Sequence, residues 1–253
     1  MEKKELELYI HIPFCVRKCN YCDFLSFPAD EDTQRQYVKA LCKEIFYYGA
    51  HCRDYVVSTV YIGGGTPSWL WESDMAAILD AIQKSFSLLP EAEVSIECNP
   101  GTVTAQKFAV YRQSGINRIS LGLQSAQNVE LKMLGRIHTW EQFLKTYELA
   151  RSGGFSNINV DLMSSLPGQH IETYADSLQK VCRLKPEHIS AYSLIIEEGT
   201  PFYQLFGEDE DKQEEQRRRK ELGVPELPDE DAERRMYSVS YTHLRAHETD
   251  QYL

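Results

Sequence analysis

The sequence predicts an α/β fold, either a six-unit open βα barrel or a doubly wound parallel sheet, and three observations carry that prediction. Short apolar or alternating runs recur six times between residues 6 and 195. Segments of helical period separate them. Every unusual polar cluster falls at or just after the end of one of those runs. Strands alternating with helices are accommodated most simply around a parallel sheet. In either architecture, ligands sit at the carboxyl ends of the strands.

The elements follow in order. Strand one, residues 6–11 (LELYIH), feeds directly into the loop HIPFCVRKCNYCDFLSF, and helical period appears over 33–48. Strand two, 56–62 (VVSTVYI), ends in GGGTPS and is followed by a helix over 72–86. Strand three, 93–98 (EVSIEC), runs into ECNPGT, with a helix over 104–114. Strand four, 118–123 (RISLGL), ends in GLQS before a helix over 140–151. Strand five, 157–163 (NINVDLM), ends in DLMSSLPGQ, with a helix over 173–183, and strand six covers 188–195 (HISAYSLI). The polar clusters together point to one rim.

Bulk properties exclude several classes. Hydrophobic residues make up 42% and charged residues 26% of the 253, as in an ordinary globular protein of one large or two smaller domains. No run approaches the roughly 18 apolar residues of a membrane span. The start MEKKELELYIHI enters a strand with no signal-peptide core, so a cytoplasmic protein is expected. A net charge of −11 argues against a general affinity for nucleic-acid backbones.

Seven cysteines, an odd count, suit ligands or packed thiols better than disulfides in a reducing compartment. Cys42, Cys52, Cys98 and Cys182 are scattered and read as packed thiols. Cys15, Cys19 and Cys22 are different, because C-x3-C-x2-C puts three thiols on one loop. A structural zinc site would want a fourth ligand, for which His11 is available. Three soft sulfur ligands suit an iron–sulfur cluster with one iron left open to another molecule.

That spacing, with the aromatic Tyr21 before the last cysteine and a position on the first loop of a βα barrel, resembles the radical S-adenosylmethionine (SAM) superfamily. The resemblance implies a partial (β/α)6 TIM-like barrel and a [4Fe-4S] cluster held by Cys15, Cys19 and Cys22. It also implies SAM chelating the open iron, and an electron donor that reduces the cluster so that SAM is cleaved to a 5′-deoxyadenosyl radical. The SAM contacts it implies are Tyr9, Tyr21, Gly64, Gly65, Thr66, Glu97, Gln124, Arg136 and Asp161. Several have a plainer reading as well. The glycine triplet also makes a turn, Arg136 also makes a surface arginine, Asp161 a helix N-cap, and Tyr9 a core tyrosine. Glu97 is a carboxylate at the end of an apolar strand, a place that demands a partner.

A narrower resemblance rests on LYIHIPFC, CNYCDF, YIGGGTPS, IECNPGT, GINRISLGLQS, LGRIHT, NVDLMSSLPGQ and HISAYSLIIEEGTPF. Together these resemble the HemW heme chaperones, a family formerly grouped with oxygen-independent coproporphyrinogen III oxidase (HemN). The decarboxylating branch carries another cysteine two residues after the third ligand, where this chain has Phe24. The chaperone resemblance implies heme as cargo, delivered to membrane-associated respiratory acceptors. The alternative is coproporphyrinogen decarboxylation. His138 and His170 are considered as exposed heme ligands, with no motif behind either.

The resemblance sets residues 1–205 as the radical SAM core. Residues 206–237, with GEDEDKQEEQRRRKELGVPELPDEDAERR, read as a charged linker and the helical start of a truncated C-terminal region. From Val239 to Thr249 the sequence reads like one frame of a transposase sequencing adapter, so residues 238–253 are expected to be a disordered artefact of library preparation. That sets aside His243 and His247 as ligands.

Overall fold

The computed structural model describes residues 4–207 and 212–246. Six strands, β1 (Lys4–Ile12), β2 (Tyr55–Gly64), β3 (Leu88–Cys98), β4 (Arg118–Gln124), β5 (Ile158–Ser164) and β6 (His188–Ser193), follow one another in the sheet in chain order. The helices are α1 (Glu31–His51), α2 (Glu72–Ser85), α3 (Ala105–Gln113), α4 (Asn128–Met133), α5 (Trp140–Ser152), α6 (Ile171–Arg183), α7 (Tyr203–Phe206), α8 (Lys212–Leu222) and α9 (Glu230–Ala246). The strict βα alternation is the one the hydrophobic pattern predicts, and strand order equal to chain order makes the sheet a barrel-type arrangement and not a doubly wound one.

The chain divides into two compact units. The first comprises the chain up to Arg17, Leu25–Leu121 and Lys145–Asn157. Here β1, β2, β3 and the start of β4 pair in parallel, with Ile12 opposite Gly64 and Cys98 opposite Leu121. Their inner residues are nearly sealed from solvent, as expected for parallel strands covered on both faces: Ile12, Val60, Ile62, Ile96 and Ile119 are buried. Helix α1 begins two residues earlier than its period suggests. Asp30 accepts a hydrogen bond from Thr33 N at 2.8 Å, and Glu31 and Asp32 favour the positive end of the helix. Strand β3 begins five residues early, because Leu88 pairs with Val57 before an irregularity that brings Glu93 opposite Thr59.

The second unit comprises Lys18–Phe24, Gly122–Leu144 and the chain from Ile158 onward. Strands β5 and β6 pair in parallel, Asp161 opposite Ser190. A local core of Leu134, Met163, Leu166 and Phe202 receives Tyr21, Met133 and Leu194 at its edge. The charged run after Phe206 is helical in α8. It is not wholly solvated, because Arg219 donates to the Leu205 carbonyl at 3.0 Å, pairs with Glu215 and lies over the Phe206 ring. The segment expected to be disordered from residue 238 is helical as far as Ala246, and within it Ser240 is buried against Tyr174 of α6, their hydroxyls 2.5 Å apart. Residues 247–253, with His247, lie outside the described residues. None of the described helices is long and apolar enough to cross a membrane.

Candidate functional site

In the first unit the predicted residues at the ends of β1, β2 and β3 come together. Gly65 N donates to Ile12 O at 2.8 Å and Thr66 N donates to Phe14 O at 2.7 Å, so the glycine turn is laced to the start of the cysteine loop. Gly64 has φ +115°, and a Cβ on it would stand 2.6 Å from His11 Cε1. A Cβ on Gly65 would meet the Phe14 carbonyl at 2.7 Å and Cys15 Sγ at 3.0 Å. The triplet is therefore required by the packing of this loop, whatever ligand it also serves.

Glu97 has the partners its position demands. Tyr61 Oη donates to Oε1 at 2.8 Å and Gly64 N donates to Oε2 at 3.1 Å. Tyr9 stacks on Tyr61 with centroids 6.2 Å apart, and its hydroxyl shares a hydrogen bond with His11 Nδ1. Burial, and then the Glu97 carboxylate, raises the Tyr9 phenol above its ordinary value. Thr66 is buried, and its hydroxyl donates to Cys15 Sγ at 3.5 Å.

In the second unit Arg136 is the hub. Its Nη2 donates to Gly122 O at 2.5 Å and its Nη1 lies 3.8 Å from Cys19 Sγ. Burial alone would weaken the guanidinium, but the Tyr21 and Cys19 side chains beside it hold its pKa above the ordinary value. Burial raises the Tyr21 phenol despite the pull of Arg136. The loop carrying Cys19, Tyr21 and Cys22 is fixed through Asn20, whose N donates to Leu134 O at 3.0 Å, whose Nδ2 donates to Met133 O at 2.9 Å, and whose carbonyl accepts from Phe202 N. Gln124 adopts φ +73° at the end of β4 and accepts from Tyr192 Oη at 3.0 Å. That conformation is strained for a non-glycine residue and is held here by the bond from Tyr192. Asp161 Oδ1 accepts from Asn159 Nδ2 at 2.7 Å, while Asn159 Oδ1 is engaged by His188 and Ser190.

Four residues missed by sequence reading thus hold the predicted ones: Tyr61, Asn99, Asn159 and Tyr192. Asn99 Nδ2 donates to Thr66 Oγ1 at 2.9 Å. The period of a strand was the available signal for Asn159, which stands two residues from Asp161 and hence on the same face of β5. His138 is corrected, since it is buried at 4% exposure and its Nε2 faces Leu123 O. Burial, then the Arg136 charge, holds its pKa down to about 3, so it offers no exposed ligand. His170 is exposed at the start of α6.

None of the seven cysteines is joined in a disulfide. Among the described residues no three His, Cys, Asp or Glu side chains are gathered to hold a metal ion. Instead, Cys15 is engaged by Thr66, and Cys19 by Arg136. The donor chemistry of three thiols in C-x3-C-x2-C fits a soft iron–sulfur group.

Comparison with known proteins addresses the family and the fold. The Radical SAM superfamily model matches residues 9–181. The chain is 40% identical over 228 residues to heme chaperone HemW of Escherichia coli (strain K12), covering 90% of this chain and 56% of that protein. It is 34% identical to heme chaperone HemW of Bacillus subtilis (strain 168), covering 96% and 61% respectively. The chain thus spans little more than half the length of these relatives. Among solved structures, coproporphyrinogen III oxidase (HemN) from Escherichia coli, a radical SAM enzyme, superposes with a TM-score of 0.82 at 26% identity, over 98% of this chain and 54% of that one. With six strands in chain order, a three-cysteine first loop and that family match, the chain belongs to the radical SAM superfamily and has its partial (β/α)6 TIM-like barrel fold.

Proposed function

We propose that this chain is the radical SAM core of a heme chaperone. Cys15, Cys19 and Cys22 hold a [4Fe-4S] cluster. Tyr9, Tyr21, Gly64, Gly65, Thr66, Glu97, Gln124, Arg136 and Asp161 surround S-adenosylmethionine. Heme is the cargo, passed to a membrane-associated respiratory acceptor, and an external donor reduces the cluster. The bound cluster supplies one-electron chemistry that protein side chains lack.

The residues of the chain do the rest. Arg136 presents a planar fork beside Cys19, suited to a carboxylate. Glu97, held at both oxygens, is a fixed negative charge for an ammonium or hydroxyl group. Asp161, oriented by Asn159, can take a diol.

The observation that carries the chaperone reading over porphyrinogen decarboxylation is Phe24, an exposed phenylalanine where the decarboxylating branch has a cysteine. The HemW relatives support the same choice.

The test is anaerobic reconstitution with iron and sulfide, followed by titration with heme and, separately, incubation with coproporphyrinogen and SAM. About four irons and four sulfides per chain are expected, with loss of the cluster in Cys15→Ala, Cys19→Ala and Cys22→Ala. Stoichiometric heme binding without decarboxylation supports the proposal. Protoporphyrinogen formation would overturn the chaperone assignment, and iron uptake without acid-labile sulfide would overturn the cluster.

A further inference from the structure

Behind Cys15, within the first unit, lies a buried polar network of which only Thr66 is among the proposed cofactor contacts. Thr66, Ser68, Thr102 and Lys107 are all at or below 9% exposure. Lys107 Nζ donates to Ser68 O at 2.8 Å and to Thr102 O at 3.0 Å, pinning two turns together. Thr102 Oγ1 donates to Asn99 O at 2.8 Å and lies 2.6 Å from Ser68 Oγ, which in turn accepts from Asn99 N at 3.1 Å. Asn99 is thereby fixed at its backbone on both sides.

The proton directions then follow. Asn99 Nδ2 is only a donor, so Thr66 Oγ1 must accept at that contact. Its own proton is left for Cys15 Sγ, 3.5 Å away. The chain of bonds has one sense, from Asn99 through the Thr66 hydroxyl to the sulfur. The backbone of Thr66 is fixed in its turn by its own bond to Phe14 O.

We infer that Thr66, oriented by Asn99 on the Lys107-pinned turn, is a positioning residue whose hydroxyl donates to the Cys15 sulfur and sets the electron donation of that one cluster ligand. The inference rests on the proposed reading of C-x3-C-x2-C as the cluster loop. A hydrogen bond to a ligand sulfur draws charge away from iron and favours the reduced, more negative state, so it raises the reduction potential. The asymmetry is built in at Cys15 by a neutral hydroxyl, whereas Cys19 faces the cationic Arg136.

The experiment is a redox titration of the anaerobically reconstituted chain, followed by electron paramagnetic resonance, for wild type, Thr66→Val, Thr66→Ser and Asn99→Ala. Thr66→Val is expected to move the midpoint to more negative potential and to change the spectrum of the reduced cluster at full iron content. Thr66→Ser, which restores the hydroxyl, should return both toward wild type. Asn99→Ala keeps the hydroxyl but frees its direction, and should shift the midpoint the same way by less. Unchanged midpoint and spectrum in fully loaded Thr66→Val overturns the inference. If Thr66→Val fails to load, an unchanged midpoint in Asn99→Ala overturns it instead. Wild type that takes up no cluster overturns the reading of the loop, and the inference with it, and is told apart by the iron and sulfide content.

Discussion

The Tyr61 hydroxyl donates to Glu97 Oε1 at 2.8 Å while Gly64 N donates to the other carboxylate oxygen at 3.1 Å. One neighbouring strand, β2, thus orients both oxygens of a carboxylate on β3. Tyr61→Phe removes one charge-assisted bond from a half-buried group, and a loss of about 1–2 kcal/mol in folding stability is expected. Urea unfolding of the metal-free chain measures it. An unchanged midpoint at unchanged slope would show that Tyr61 does not support Glu97 energetically.

Acid sensitivity comes from His138. Its pKa in the folded chain is about 3, against 6.5 ordinarily, because burial and then Arg136 disfavour its charge. Above pH 6.5 it is neutral whether folded or unfolded and contributes no pH dependence. Below that, the unfolded chain takes up a proton that the folded one refuses. Stability therefore falls as pH falls from 6.5 toward 3, by about 1.4 kcal/mol per unit from this residue. Unfolding free energies of wild type and His138→Gln at several pH values check this. The variant should lose about one proton's worth of slope, and identical slopes would contradict it.

Ser165 sits at φ +61°, and its buried hydroxyl has no hydrogen-bond partner among the described residues. Both features cost free energy, and glycine removes both. Ser165→Gly is expected to stabilise the chain by about 1 kcal/mol, after allowing for the freedom glycine gains when unfolded. A thermal melt that moves downward would refute the claim of strain.

Arg136 uses separate nitrogens for Gly122 O and Cys19 Sγ. A lysine ammonium cannot reproduce that fork, so Arg136→Lys and Arg136→Met are both expected to bind SAM about tenfold or more weakly. Equilibrium dialysis with the reconstituted chain is the measurement. Wild-type affinity in the lysine variant would reduce Arg136 to a simple charge.

What the sequence made legible was whatever repeats with a period. The six strands and five of the helices were visible because alternating or helical patterns extend over many residues. Helix α4, six residues long, offers no such pattern. Its Glu130 is buried and accepts from Ser125, Gln169 and Thr173, partners scattered over 48 residues that no local signal links. The start of β3 was hidden for a different reason. Leu88, Leu89 and Pro90 break the alternation, and only pairing with β2 makes a strand of them. In the proposed site, the residues with charge or sulfur stand out in the sequence. The neutral ones that contact them in the structure, Tyr61, Asn99, Asn159 and Tyr192, do not, because the resemblance assigns them no contact and their partners are known only from the fold.

Asn20 ties the middle of the cysteine loop to Met133, Leu134 and Phe202. The order of synthesis is opposite to the order these bonds need. A ribosome adds roughly 180 further residues after Cys22 before Phe202 exists, on the order of ten seconds or more at cellular rates. The Cys15 end and the contacts to Met133 and Leu134 can form earlier, but until Phe202 emerges the segment carrying Cys19 and Cys22 lacks the last of its anchors. The loop that is proposed to hold the cluster is therefore completed by a residue made 180 positions after its last cysteine.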